Sequence, residues 1–300
     1  MGRWRMLALS TKPRISLKKI VVATDFTPAS KAALDRAIAI ATYYRSKIIL
    51  VHAVESVSQW QPSEEAKHPE TNRLAEVEWR LRKEAVRCAE VECEWHLLKG
   101  TVAEVVEQFL AIDHTDLVIV GIGGSKGFRK LLMSSAEHIF RHVRCPVMVL
   151  GPSVGRSETD WNPRRILLAT DLQSDEARTV TYATALADEH NARLALLHVT
   201  LPVAAPYPED SERVVRPYYE SRLRQLVSDW RSSEGNPPEV WVEFEHDPIT
   251  GIMNVATRQS IDLLVLSVHP SAPWTLHFGH SAHRIIAAAP CPALIVQREL

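Results

Sequence analysis

Two carboxylates and two histidines are the side chains that their neighbours best prepare for chemistry. Asp25 and Asp171 each end a short apolar run, KIVVATDF at residues 19–26 and RILLATDL at residues 165–172, and His52 and His198 each stand inside a second run, LVHA and LLHV. A carboxylate at the carboxyl end of a buried strand can face a ligand or can orient the turn that follows it. An imidazole inside such a run reads first as a hydrogen-bonded residue at the core edge, and only second as an acid-base group. A third feature is the glycine group Gly121, Gly123, Gly124 and Gly127 after the apolar residues 117–120, where missing side chains would let backbone N–H groups approach an anion. A fourth is His269, His277, His280 and His283, whose spacing matches no strong ligand motif, so it reads as a polar surface and no metal is assigned.

These residues are positioned by a repeat. Asp25 and Asp171, His52 and His198, Asp116 and Asp262, and Cys145 and Cys291 are each 146 positions apart, which implies duplication of one whole domain. Runs of four or more apolar residues bounded by cations and turn signals predict strands buried on both faces, near 19–24, 47–54, 116–121 and 146–150, with a more alternating strand near 91–98. Between them, Ala33, Leu34, Ala37, Ile38 and Ala41 recur at helical spacing, and further helices are predicted near 72–89, after Thr101, and at 136–142. Thr27 is the predicted cap of the first helix, with Pro28 inside it. The order β-α-β-α-β-α-β-α-β recurs in the second half, with strands near 165–170, 193–199, 240–245, 262–267 and 292–296. Right-handed crossovers then predict an α/β fold of two flavodoxin-like domains, residues 17–151 and 164–298, each a parallel sheet of order 3-2-1-4-5. Residues 151–163, rich in Gly, Ser, Pro and charge, read as the linker.

The ordered set Val-Ala-Thr-Asp-Phe-Thr (22–27), Leu-Val-His-Ala (50–53), Asp-Leu-Val-Ile-Val-Gly (116–121), Leu-Met-Ser-Ser-Ala (132–136) and Cys-Pro-Val (145–147) resembles the universal stress protein family. Leu-Ala-Thr-Asp (168–171), Leu-Leu-His-Val (196–199) and Cys-Pro-Ala (291–293) repeat the resemblance, as a tandem of two such domains with the adenine nucleotide alpha hydrolase-like form of the fold. The family has members that hold ATP and members that do not. In the former, the resemblance implies that the first strand's Asp faces the ribose, that the residue after the second strand's His meets the adenine, and that a G-x-x-G, nine residues, G-S/T loop cradles phosphate. The matching candidates in the first half are Thr24, Asp25, Ala53, Gly121, Gly124, Ser134 and Ser135, with serine in place of the third glycine and a loop one residue short. The second half keeps Asp171, Val199 and Gly279 as vestiges, but Ser267 and Pro270 replace the two glycines and Pro270 has no N–H to offer. The Leu-Met-Ser-Ser-Ala form is similar to the non-ATP branch. The resemblance therefore implies a non-catalytic stress or signalling protein that binds ATP or AMP weakly in its first domain. The alternative is an ATP-binding protein with slow hydrolysis there.

Composition removes other classes. Across 300 residues the formal net charge is −1 with well-mixed signs, so no basic field points to nucleic acid or to an anionic membrane. Four cysteines without a CxxC pair support neither a disulfide framework nor a thiolate zinc site, and fit a reducing cytoplasm. No apolar run approaches the ~20 residues that span a bilayer, and residues 1–16 lack the apolar core of a signal peptide. There is no GxxxxGK[ST], GxSxG or HxGH-type motif, which leaves adenylate-transfer enzymes without a named phosphate lysine or nucleophile. An electron-transfer flavoprotein on a similar fold is a third, weaker reading. The two halves are expected to pack as an intramolecular pseudo-dimer through their last strands, residues 147–150 beside 293–296, since these apolar edges would otherwise stand open. A homodimer and further protein partners stay open alternatives.

Overall fold

Buried apolar runs need a partner on every side, and the strands find it by joining one sheet. The computed structural model describes residues 15–54, 70–112, 114–123, 143–154, 160–172, 176–202, 208–230, 237–268, 284 and 288–297. The first half holds β1 (Lys19–Ala23), α1 (Pro28–Tyr44), β2 (Lys47–Val54), α2 (Glu70–Val86), β3 (Cys93–Lys99), α3 (Val102–Ile112), β4 (Leu117–Gly121) and β5 (Val147–Leu150). The second holds β6 (Arg165–Ala169), α4 (Ala177–His190), β7 (Arg193–Thr200), α5 (Pro208–Leu226), β8 (Glu239–Phe244), α6 (Pro248–Arg258), β9 (Leu263–Val268) and β10 (Ala293–Gln297). The helix expected at 136–142 lies outside the described residues.

Within each half the strands run parallel in the order 3-2-1-4-5, as expected, and the two sets meet at β5 and β10 to make one ten-stranded sheet. That seam is antiparallel, with Ala293 opposite Val149, Leu294 opposite Met148 and Ile295 opposite Val147. The pairing anticipated from the two apolar edges is thus present, and it is made between the final strands rather than through the linker. Sheet hydrogen bonding satisfies backbone groups that would otherwise be buried without partners.

Strand side chains alternate between faces, so each strand feeds two cores. On one face Ile20, Val22, Leu50, Ile119, Met148 and Leu150 form a single layer with Ile166, Leu168, Leu196, Val265, Leu294 and Val296, continuous across the seam. On the other face the halves are served by separate clusters, one around Val21, Ile49 and Val118 under α3, the other around Leu167, Ala195 and Leu264 under α6. Two helix starts that carry a proline in the first turn follow the expected chemistry. Thr27 accepts from the N–H of Ser30 ahead of Pro28, and Asp247 accepts from the N–H of Thr250 ahead of Pro248.

The ends of α1 and α4 touch across the pseudo-two-fold axis, where residues 146 apart meet one another. The Tyr43 hydroxyl donates to the Glu189 carbonyl at 3.4 Å, and the Tyr44 hydroxyl reaches Glu189 Oε2 at 3.0 Å and His190 Nε2 at 3.3 Å. Tyr43 and Trp161 also pack on the His190 ring, at centroid distances of 4.7 and 5.7 Å. Burial holds the His190 imidazole well below its ordinary value, at about 4, and the charge of Arg164 adds to the effect. Burial likewise raises the Tyr44 phenol, assisted by the Glu189 carboxylate. Because the folded pKa of His190 is the lower one, the unfolded chain binds more protons between about pH 6.5 and 4. Stability contributed by keeping the ring neutral is complete above that window and is lost as pH falls through it. Denaturant melts at pH 7.5 and pH 5 should differ by on the order of 1–2 kcal/mol from this group alone, and His190→Gln should remove most of that difference. An unchanged pH slope in the variant would assign the effect to other histidines.

Candidate functional site

The topological switch point of the first half lies between β1 and β4, which pair in parallel from Ile20 opposite Leu117 to Ala23 opposite Val120. Beyond β1 the chain makes a tight turn whose Phe26 has φ of 64°, a left-handed value that costs a bulky residue roughly 1 kcal/mol or more. Three contacts hold it there. The N–H of Phe26 donates to Thr24 Oγ1 at 3.1 Å, the Phe26 ring packs on His52 at 4.6 Å, and the Arg80 guanidinium lies 4.7 Å above the Phe26 ring. The same conformation recurs at Leu172, with φ of 58° and its N–H on Thr170 Oγ1 at 2.9 Å.

Asp25 divides its two oxygens between two tasks. Oδ1 accepts from the N–H of Thr27 at 3.0 Å and from its hydroxyl at 2.6 Å, which is the turn-orienting role open to any strand-end carboxylate. Oδ2 is buried and has no hydrogen-bond partner among the described residues. A buried carboxylate oxygen left without a donor is costly, so among the described residues of the first crevice this atom calls for a hydroxyl or amide. Thr24 is buried and its hydroxyl is occupied by the Phe26 N–H and by Ser30 Oγ at 3.2 Å, so it shapes the turn. Ala53 sits on β2 opposite Leu98, partly buried over the α3 core.

His52 and His198 have the bland role anticipated for them. Nδ1 of His52 meets the Thr24 carbonyl at 2.7 Å and Nδ1 of His198 meets the Thr170 carbonyl at 2.9 Å, so each ring ties its strand to the turn beside it. Burial lowers both imidazoles, which keeps them neutral.

Gly121 has a packing reason that the sequence did not reveal. A Cβ built there would lie 2.0 Å from the Ala29 carbonyl oxygen and 2.8 Å from the Ser30 nitrogen, so the missing side chain lets the first turn of α1 lie directly on β4. The second half solves the same contact differently. At the position of Gly121 stands Ser267, and at the position of Ser30 stands Glu176, 3% exposed. Glu176 Oε1 accepts from Thr170 Oγ1 at 2.9 Å and from Ser267 Oγ at 3.1 Å. A carboxyl side chain thus fills the space beneath the second crevice, and α4 begins at Ala177, three positions later than α1 does in its own half. Val199 packs against α6, its Cγ1 only 2.7 Å from where a Cβ on Gly251 would sit.

Sequence reasoning missed this paired exchange, although aligning the halves at 146 puts Gly121 with Ser267 and Ser30 with Glu176 and displays both substitutions together. It also used Asp116 and Asp262 only as landmarks. Oδ2 of Asp116 accepts from the N–H groups of Lys18 and Lys19 at 2.7 and 2.9 Å, and Asp262 does the same for Arg164 and Arg165, at 2.8 Å each. These carboxylates clamp the entry of each central strand, at the end of the sheet opposite Asp25 and Asp171. Gly124, Ser134, Ser135, Gly279 and the group His269, His277, His280 and His283 lie outside the described residues. Among the described residues no cluster of three or more His, Cys, Asp or Glu is arranged to hold a metal, and no helix is long and apolar enough to cross a membrane.

Comparison with known proteins agrees with this architecture. The profile of the universal stress protein family matches the chain twice, over residues 16–151 and 162–297. One similar relative is a universal stress protein of Methanocaldococcus jannaschii, 28% identical over 138 residues that make up 44% of this chain and 81% of that protein. Another, of Thermus aquaticus, is 27% identical over 142 residues, 45% of this chain and 98% of its own length. Among solved structures, a universal stress protein from Archaeoglobus fulgidus superposes along 95% of this chain and 98% of that chain, with a TM-score of 0.65 and 16% identity, which shows a shared fold.

Proposed function

Because this chain belongs to the universal stress protein family and carries two of its domains, we propose that it is a non-catalytic stress-response protein whose first domain holds an adenine nucleotide weakly. The second domain has lost that capacity. One observation carries the reading: among the described residues Asp25 Oδ2 is buried without a partner at the carboxyl end of β1, while Oδ1 is fixed by Thr27. A ribose hydroxyl is the kind of donor that would satisfy it, with the Ala53 backbone on the neighbouring strand available to a base. The second crevice has the Glu176 side chain beneath it, bonded to Thr170 and Ser267, where the first crevice has the small residues Ser30 and Gly121. ATP would gain little over AMP, since the loop that should hold distal phosphates lacks its third glycine.

Titration calorimetry of the full chain tests this. AMP should bind in the range of hundreds of micromolar or weaker, ATP no more than about tenfold tighter, and Asp25→Ala should weaken AMP roughly tenfold by removing one charge-assisted hydrogen bond. Asp171→Ala should leave the titration unchanged. Micromolar ATP binding that depends on Asp171, or AMP binding indifferent to Asp25, would overturn the proposal.

A further inference from the structure

The turn after α2 and the first residue of β3 bring two thiols together away from the nucleotide crevice. Cys88 follows the end of α2, its N–H on the Ala85 carbonyl at 3.0 Å, and its own carbonyl accepts from the N–H of Val91 at 2.9 Å. That turn reverses the chain and delivers Cys93 onto β3 opposite Ile48. Cys88 is 1% exposed and belongs to the buried layer against which the side chain of Cys93 packs, and the Cys93 thiol donates to the Glu94 carbonyl at 3.7 Å. Cys93 is partly exposed. We infer that Cys88 and Cys93 form a thiol–disulfide exchange site, with Cys93 as the entry thiol and Cys88 as the resolving one, for disulfides of low molecular weight.

The chemistry balances without a metal or flavin. The Cys93 thiolate attacks one sulfur of a small disulfide, the S–S bond breaks, and the departing thiolate leaves with one electron pair and takes up a proton. The mixed disulfide on Cys93 is then attacked by the thiolate of Cys88, which releases the second small thiol and closes the Cys88–Cys93 bond at about 2.05 Å. Two protein thiols are oxidised and one small disulfide is reduced to two thiols. The order of attack follows from access and charge. Interaction with its neighbour lowers the Cys93 thiol, while the same interaction together with burial raises Cys88. The other two cysteines are built to be inert, since burial pushes Cys145 and Cys291 up to about 12. Closure would tie the turn below α2 to the edge of the sheet, and α2 is the helix whose Arg80 covers Phe26 at the first crevice.

The test uses the native full-length protein, reduced, freed of reductant and incubated with oxidised glutathione. The expected result is loss of two of four titratable thiols, a mass lower by two hydrogens, and a cross-linked peptide joining Cys88 and Cys93. Cys88→Ala should instead retain one glutathione on Cys93, and Cys93→Ser should leave the mass unchanged. Wild-type protein that keeps all four thiols, or that accumulates glutathione on Cys93 without closing, would overturn the assignment, and neither outcome depends on a variant folding.

Discussion

Replacing Gly121 by alanine is expected to cost about 3 kcal/mol or more, because the new methyl group has nowhere to go. Its Cβ would stand 2.0 Å from the Ala29 oxygen, 2.3 Å from the Ala29 carbonyl carbon and 2.8 Å from the Ser30 nitrogen, all of them backbone atoms that cannot rotate aside. The first turn of α1 would have to lift from β4, breaking the Thr27 cap and the Thr24 to Ser30 contact that shape the turn around Asp25. A fall in melting temperature on the order of 5 °C should follow for a chain of this size that unfolds as one unit. Gly123 is the internal control. A Cβ there meets only the Ala29 side chain at 3.8 Å, an ordinary contact, so Gly123→Ala should lie within about 0.5 kcal/mol of wild type. Equal effects of the two substitutions in calorimetric melts would remove the packing explanation.

Leu294→Asp should be the more damaging change, and its signature should be loss of cooperation between the halves. Leu294 is 4% exposed, lies on β10 opposite Met148, and belongs to the apolar layer that runs unbroken from one half into the other. Burying an unpaired carboxylate there would cost on the order of 4 kcal/mol or more, or force the strands apart. The wild-type chain is expected to unfold in one transition, since the shared layer links the halves. In the variant the transition should split in two or shift down as the seam opens. A single transition of unchanged midpoint would show that the seam contributes little.

Much of this architecture was legible because it is written in features that need no tertiary knowledge. The constant spacing of 146 announced the duplication, the apolar runs announced strands buried on both faces, and Thr27-Pro28 announced where α1 begins. The seam followed from asking what could cover the two last apolar strands. The site was legible only in outline. That Asp25 keeps one oxygen for Thr27 and leaves the other open depends on a left-handed turn at Phe26, a conformation no rule of spacing would place on a phenylalanine. Gly121 was read as an opening for phosphate, whereas its neighbour across the turn, Ala29, gives it a sufficient reason of a different kind. Contacts between residues a full repeat apart, such as Tyr44 with His190, exist only because the halves meet about an axis, and neither half alone encodes them.

The antiparallel seam decides where the two crevices can look. Strands within each half are parallel and β5 runs against β10, so the carboxyl ends of β1 and β6 emerge on opposite rims of the ten-stranded sheet. A molecule seated at Asp25 and another seated at Asp171 would face away from each other with the whole sheet between them. Two copies in one chain therefore let each rim differ without the other, as Ser267 and Glu176 do in place of Gly121 and Ser30, and whatever meets one rim leaves the other accessible.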